Sequence, residues 1–174
     1  ATSHINGLTH LTNQQKESLI GQVNTSVASV IDKFVDNVSQ NSANSDAYNS
    51  FINDLNTITG LADGQDYAMD LLQTATENVI NDINNIDGLT STQISDYESQ
   101  INKVHDDAIL EIGQTLSPED ALTAEQNGEI SFTNIKNTAQ VQAAKNDAVN
   151  AIDTATTNAI AAIENNTSLT AGQK

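Results

Sequence analysis

The sequence predicts an all-α protein built as two tandem three-helix-bundle repeats that form an elongated rod. Apolar residues recur at spacings of three and four along most of the 174-residue chain, and this spacing places them on one face of a helix. The chain also matches itself after an offset of 81 residues. The alternating apolar pattern that is typical of strands is nearly absent.

The internal repeat sets the predicted domain organisation. Ile5-Asn-Gly-Leu-Thr9 recurs as Ile86-Asp-Gly-Leu-Thr90, and the last six residues are similar to Leu11-Thr-Asn-Gln-Gln-Lys16. We therefore predict a first three-helix repeat at 1–86, a second at 87–166 and the start of a third copy at 167–174. The phase of the boundary stays open, since the third helix of one copy could pair with the first helix of the next.

Three helices are predicted in the first repeat. The first spans 12–40, with Gly21 inside it, and the second runs from Tyr48 to Ile58. Gly60 and Gly64 are expected to end the second helix, because glycine is a poor helix former. The third runs from Ala68 to Ile83.

In the second repeat, the first helix is predicted over 92–114. Ser117-Pro118 has the residue types of a helix start, a capping serine followed by a proline in the first turn, so a short helix should follow. A further helix is expected from about 132 to 164, where an alanine-rich stripe runs without Gly or Pro. Its apolar positions are Val141, Ala144, Ala148, Ile152, Ala155, Ala159 and Ile163.

The composition excludes several classes of partner. The net charge is −17, with six lysines and no arginine, so phosphate backbones and anionic bilayers would repel the chain. There is no cysteine for a disulfide or a thiolate metal site, and no apolar run approaches the roughly 20 residues that span a bilayer. We expect no nucleic-acid binding, no membrane insertion and a monomeric rod.

No catalytic, cofactor or metal site is predicted. His4, His10 and His105 have no His, Asp or Glu three or four positions further on, as a helical chelate would need. The acidic groups Asp63/Asp66/Asp70 and Asp107/Glu111 do not form a calcium loop, so they are better explained by solvation and, for the first group, by the dipole at a helix start. The enzyme class is therefore excluded by prediction.

The aromatic residues Tyr48, Phe51, Tyr67 and Tyr97 lie on the apolar stripes, which favours core packing over use as binding anchors. Asn24-Thr-Ser26 and Asn37-Val-Ser39 match the glycosylation pattern, but so short a pattern occurs by chance in an asparagine-rich chain.

Two segments of the first repeat are similar to known modules. The stretch from Ile5 to Leu19, followed by Ile20 and Val23, resembles the GA modules, the G-related albumin-binding modules of giant extracellular-matrix-binding surface proteins of Gram-positive bacteria. The stretch from Asp46 to Ile58 resembles the FIVAR modules that alternate with them, and the run from Ala144 to Ile160 resembles alanine-rich repeats of related wall-anchored proteins.

The resemblance implies a wall-attached, extracellular fragment of a larger adhesin. Its ligand would be a host matrix or plasma protein, with fibronectin and albumin as candidates, and it would support attachment or biofilm. The ligand-binding residues stay unknown. The alternative is a purely structural stalk that projects a distal binding domain from the cell wall.

Overall fold

The computed structural model describes residues 1–35 and 41–173, and in those ranges the chain is helical without any strand. The described helices are α1 (Thr2–Gly7), α2 (Asn13–Val35), α3 (Asn41–Asn84), α4 (Ser91–Ile112) and α5 (Pro118–Glu164). The predicted all-α class is therefore confirmed. The last five residues of the predicted helix 12–40, and with them Asn37-Val-Ser39, lie outside the described residues.

One long helix, α3, serves two helical units. Its first half packs against α2 and α1, and its second half packs against α4 and the first half of α5. Gly64 lies against Pro118, and Asp82 pairs with Lys136 at 2.6 Å, so α3 and α5 run in the same direction. With α4 running antiparallel to both, these three segments form a complete three-helix bundle.

The predicted break at Gly60 and Gly64 is wrong, because α3 continues through both glycines. Each glycine costs about 1 kcal/mol in a helix interior, whereas burying one large apolar side chain gains about 1.5–3 kcal/mol. Leu61 and Ala62, between the two glycines, are 6% and 0% exposed, so burial outweighs the cost. Gly64 is also required, since a Cβ there would lie 2.6 Å from the Cβ of Pro118.

The short helix predicted after Ser117 and the helix predicted over 132–164 are likewise a single helix, α5. The serine caps it as predicted, with Ser117 Oγ accepting from the amide of Asp120 at 3.1 Å. Gly128 lies inside the joined helix, where it leaves room for a methyl group of Leu72. The glycine is thus a packing position in α5 and does not end a helix.

Threonine–glutamine capping boxes mark the helix starts. At the starts of α2 and α4 the threonine amide donates to the glutamine Oε1, at 2.7 Å for Thr12–Gln15 and 2.9 Å for Thr90–Gln93. The glutamine amide donates back to the threonine Oγ1 at 3.3 Å in both cases. The two boxes are therefore 78 residues apart.

This spacing corrects the 81-residue offset for the helix starts. Ile5, at the end of α1, is 0% exposed and takes the place of Ile83 in α3, which is also 0% exposed, whereas Ile86 lies in the turn after α3. Burial and capping therefore align the two copies in a different register from the identity of Ile5-Asn-Gly-Leu-Thr9 with its later match. α1 corresponds to the last turns of a helix such as α3.

A single apolar core runs along the rod. It contains nineteen buried residues from all five helices and the connection after α1, among them Leu19, Val23, Met69, Leu72 and Ile101. The solvent-accessible surface is 10752 Å², compared with about 8,200 Å² for a compact monomer of this mass. The excess surface agrees with the elongated shape. None of the described helices is both long and apolar enough to cross a bilayer.

Core packing is wrong for two of the aromatic residues. Tyr48 and Tyr67 are 54% and 56% exposed, whereas Phe51 and Tyr97 are half-buried as the stripe predicts. The stripe on α3 is wider than the face that its partners cover. The alanine-rich stripe of α5 departs further, because its members from Ala144 onward are all exposed.

Gly60 and Gly64 offer a matched pair of substitutions one helical turn apart. We expect Gly60→Ala to raise the free energy of unfolding by about 0.5–1 kcal/mol, because nothing lies within 4 Å of the added methyl group and alanine is the better helix former. Gly64→Ala should lower it by about 1–3 kcal/mol, because the methyl group would overlap the backbone of Pro118. Urea unfolding followed by circular dichroism measures both changes, and equal effects would contradict the described contact.

Candidate binding surface where two helical units meet

The two helical units meet where the last turn of α4 contacts the first turn of α2. The side chain of Gln15, which closes the capping box of α2, donates through Nε2 to the carbonyl oxygen of Ile109 at 3.2 Å. It also packs directly on Gly113, leaving no room for a side chain there. The C-terminus of α4 thus points at the N-terminus of α2, an arrangement in which the two helix dipoles attract each other.

A cleft of about 510 Å³ opens beside this contact. It is bordered by the polar side chains of Thr12, Gln14 and Ser18 from α2 and its cap, and by Leu110 from α4. Leu110 is 62% exposed and is the large apolar side chain of the cleft that solvent reaches best. No residue that borders the cleft carries a charge, so it suits hydrogen bonding and apolar contact with another protein better than acid–base chemistry.

A second, wider cleft of about 690 Å³ lies between α2 and α3. Serine and threonine side chains border it around Gly21, which has nothing within 4 Å of the position of a Cβ. Ser26 Oγ donates to Asp54 Oδ2 at 2.9 Å across it. The cleft is open to solvent along its length and holds no converging set of ionisable groups.

Two of the histidines pair with carboxylates that are distant in sequence. His4 Nε2 lies 2.6 Å from Asp63 Oδ1, and the ring of His10 lies 3.4 Å from Asp66 and 3.3 Å from Asp70. The absence of partners three or four positions away was therefore no guide to their contacts. These pairs tie α1 and the connection after it to the middle of α3.

Asp66 is the central residue of that attachment. Its Oδ1 accepts from the backbone amides of His10 at 2.6 Å and Leu11 at 3.1 Å, and its side chain is 16% exposed. The predicted role of Asp63, Asp66 and Asp70 at a helix start is wrong, because α3 does not begin there. They stabilise the approach to the neighbouring helix α2.

The second copy makes the same attachment with an amide. Asn146 Nδ2 donates to the carbonyl oxygen of Gly88 at 2.7 Å and to Oε1 of the capping residue Gln93 at 2.8 Å. Gly88 has a φ of +87°, a conformation that other residues rarely adopt. In each copy a polar side chain of the long helix therefore holds the connection before the next helix.

The remaining acidic candidates lie on the surface of α4. Lys103 Nζ pairs with Asp107 Oδ2 at 2.6 Å, and this hydrogen bond and charge raise the pKa of Lys103. His105 lies 3.3 Å from Asp106, and Glu111 is exposed. Within residues 1–35 and 41–173, no group of three or more His, Cys, Asp or Glu residues is arranged to hold a metal ion.

Glu125 is a buried acid that the sequence analysis did not single out. It is 3% exposed in the complete bundle, and burial, followed by the charge of and hydrogen bond to Glu129, raises the pKa of Glu125 to about 7. Its spacing of four from Glu129 on one helix face was the available signal. Among the groups described here, it is the acid whose charge costs the fold most.

Asp66 and Asp63 allow a buried and an exposed acid of the same attachment to be compared. We expect Asp66→Ala to lower the free energy of unfolding by about 1–3 kcal/mol, because two backbone amides lose their charged acceptor. Asp63→Ala should cost less than about 1 kcal/mol, since its ion pair with His4 is half exposed. Chemical denaturation at neutral pH checks the order, and a larger cost for Asp63→Ala would refute the role given to Asp66.

Glu125 should make the fold less stable as the pH rises. Its pKa is about 7 in the fold and 4.5 ordinarily, so the folded state holds the proton more tightly and loses stability as the pH rises from 4.5 through 7. Glu125→Gln should therefore stabilise the chain by about 1–3 kcal/mol more at pH 8 than at pH 5. Urea midpoints at the two pH values measure this, with the exposed Glu111→Gln as control; equal responses of the two variants would contradict it.

A comparison with known protein families identifies part of the chain. The GA module family matches residues 1–30 and 69–108. No curated protein and no solved structure matches the chain at a significant level. The GA module is a binding or structural module and does not define an enzyme family.

The two matched segments end at equivalent points of the fold. Residue 30 lies in α2 and residue 108 in α4, which are 78 residues apart, the same spacing as the two capping boxes. The sequence match and the structure therefore define the same register. The chain thus carries GA-type helical repeats, one leading into α2 and one formed by the end of α3 with α4.

Proposed function

We propose that this chain is a repeat segment of a cell-surface adhesin of a Gram-positive bacterium. It binds a host matrix or plasma protein, with fibronectin and albumin as candidates, and so supports attachment or biofilm formation. In this proposal it is extracellular, attached to the cell wall as part of a larger protein, and has no catalytic activity. The observation that carries the proposal is the presence of two GA-type segments in one register.

The cleft where α4 meets α2 is the surface we assign to the ligand. It joins residues of the first GA-type segment, Thr12 to Ser18, to the end of the helix that carries the second. Leu110 supplies an exposed apolar anchor, and the surrounding amide and hydroxyl groups supply hydrogen bonds. The absence of charge at its border avoids placing ions at the centre of an interface, where desolvation would cost affinity.

Repetition compensates for the small size of such a cleft. A shallow surface of this kind gives weak binding per site, but sites on one rigid rod bind a surface-immobilised ligand at a raised effective concentration. Avidity therefore accounts for the use of many similar copies. The FIVAR resemblance of the segment from Asp46 to Ile58 stays a prediction beside this proposal.

Binding is tested by biolayer interferometry of the chain against immobilised fibronectin, serum albumin and fibrinogen, at low salt and near 0.15 M salt. We expect a saturable signal that survives the higher salt, because the assigned cleft is uncharged. Leu110→Ser should weaken this signal about tenfold, since it removes the exposed anchor. Ile130→Ser is the matched control, because Ile130 is 59% exposed on α5 and borders neither of the two clefts.

A structural stalk is the second candidate, and the continuity of α3 favours it. A helix that passes from one unit into the next without a linker holds the two units in line, as a spacer requires. The absence of any saturable signal on the three immobilised proteins at tens of micromolar would favour the stalk. Equal weakening by Leu110→Ser and Ile130→Ser would keep the adhesin and reject the cleft.

A further inference from the structure

The second half of α5 carries an apolar face that nothing in the described chain covers. Every residue from 147 to 168 is exposed. Four large apolar side chains follow one face of this segment: Val149, Ile152, Ile160 and Ile163, which are 56%, 64%, 52% and 46% exposed. A continuous exposed apolar face on a helix is typical of an interaction surface.

The same face exists in α3, where it is buried. Eighty residues before the four exposed side chains stand Met69, Leu72, Ile80 and Ile83. Three of these are at most 1% exposed and Ile80 is half-buried. The helices that cover them are α4 and the first half of α5.

The residues that follow α5 repeat the start of α4 at the same spacing. The amide of Thr170 donates to Gln173 Oε1 at 2.9 Å, as the amide of Thr90 does to Gln93. Leu169, like Leu89 before it, is half-buried. The spacing of 80 residues thus appears twice, once in the apolar face and once in the capping contact.

We propose that the exposed face of α5 between Val149 and Ile163 is the docking face for a further helix pair of the same kind. The pair consists of a helix that begins directly after Thr170 with the apolar pattern of α4, and of the first half of the long helix that follows it. It packs in the register that α4 and α5 adopt on α3. This face is therefore reserved for contact between repeats and is unavailable to a host ligand.

The arrangement on α3 also distinguishes this occupant from a second copy of the chain. Two helices, on two sides, are needed to bury Leu72 and its neighbours, and a single helix from a dimer partner would cover one side only. The face also carries few charges, which are Asp147, Asp153 and Glu164 between residues 146 and 164. A helix pair can therefore approach without strong repulsion, despite the net charge of −17.

The test extends the chain by the missing pair. Residues 91–174 are appended directly after Thr170, so that the added Ser91 follows Thr170 as Ser91 follows Thr90. Hydrogen exchange is then measured for residues 149–163 of the original α5. We expect these amides to exchange at least about tenfold more slowly in the extended chain than in the 174-residue chain, because docking suppresses local opening.

Two variants of the extended chain make the result specific. Ile152→Asp combined with Ile160→Asp should abolish the added protection and leave residues 118–143 as protected as before. Ile130→Asp, the same change at an exposed position outside the face, should leave the gain intact.

Three outcomes would overturn the proposal. The first is unchanged exchange at 149–163 in an extended chain whose added helices are folded. The second is concentration-dependent protection of this face in the 174-residue chain together with a dimer in sedimentation, which would assign the face to a second copy. The third is loss of host-protein binding by the extended chain carrying Ile152→Asp and Ile160→Asp, which would assign it to the ligand.

Discussion

The architecture depends on one constraint, which is that α3 must bury its first half against α2 and its second half against α4 and α5. The change of partner occurs around Gln65, which is 2% exposed and donates through Nε2 to the carbonyl oxygen of Thr115 at 3.2 Å. On either side of it, Leu61 and Ala68 are buried by different helices of one continuous core. This double burial stabilises a 44-residue helix whose own sequence includes two glycines.

The parts of the fold that depend on local chemistry could be predicted from the sequence. The apolar spacing predicted α2 and α4 closely, and Ser117 caps α5 as its residue type indicates. The long helices could not be predicted in this way, because the fate of Gly60, Gly64 and Gly128 depends on which side chain packs against each one. Pro118 and Leu72 lie more than fifty positions from the glycines that they contact.

The candidate surfaces follow the same division. His10 and Asp66 are 56 positions apart, and their contact exists because α1 and the start of α2 fold back onto the middle of α3. Tyr67 shows the opposite error: its place on an apolar stripe suggested burial, but the partners of α3 cover a narrower face. Periodicity identifies the side of a helix that can be covered, whereas the number of neighbouring helices decides how much of it is covered.

The continuity of α3 also determines how the rod would respond to tension. In a chain of domains joined by flexible linkers, a pull first straightens the linkers and lets each domain turn freely. Here the segment between the two units is itself helix, with its backbone hydrogen bonds made and its side chains buried on both sides. Lengthening the rod at this point would require breaking those bonds, so a load would pass from one unit to the next through the helix without slack.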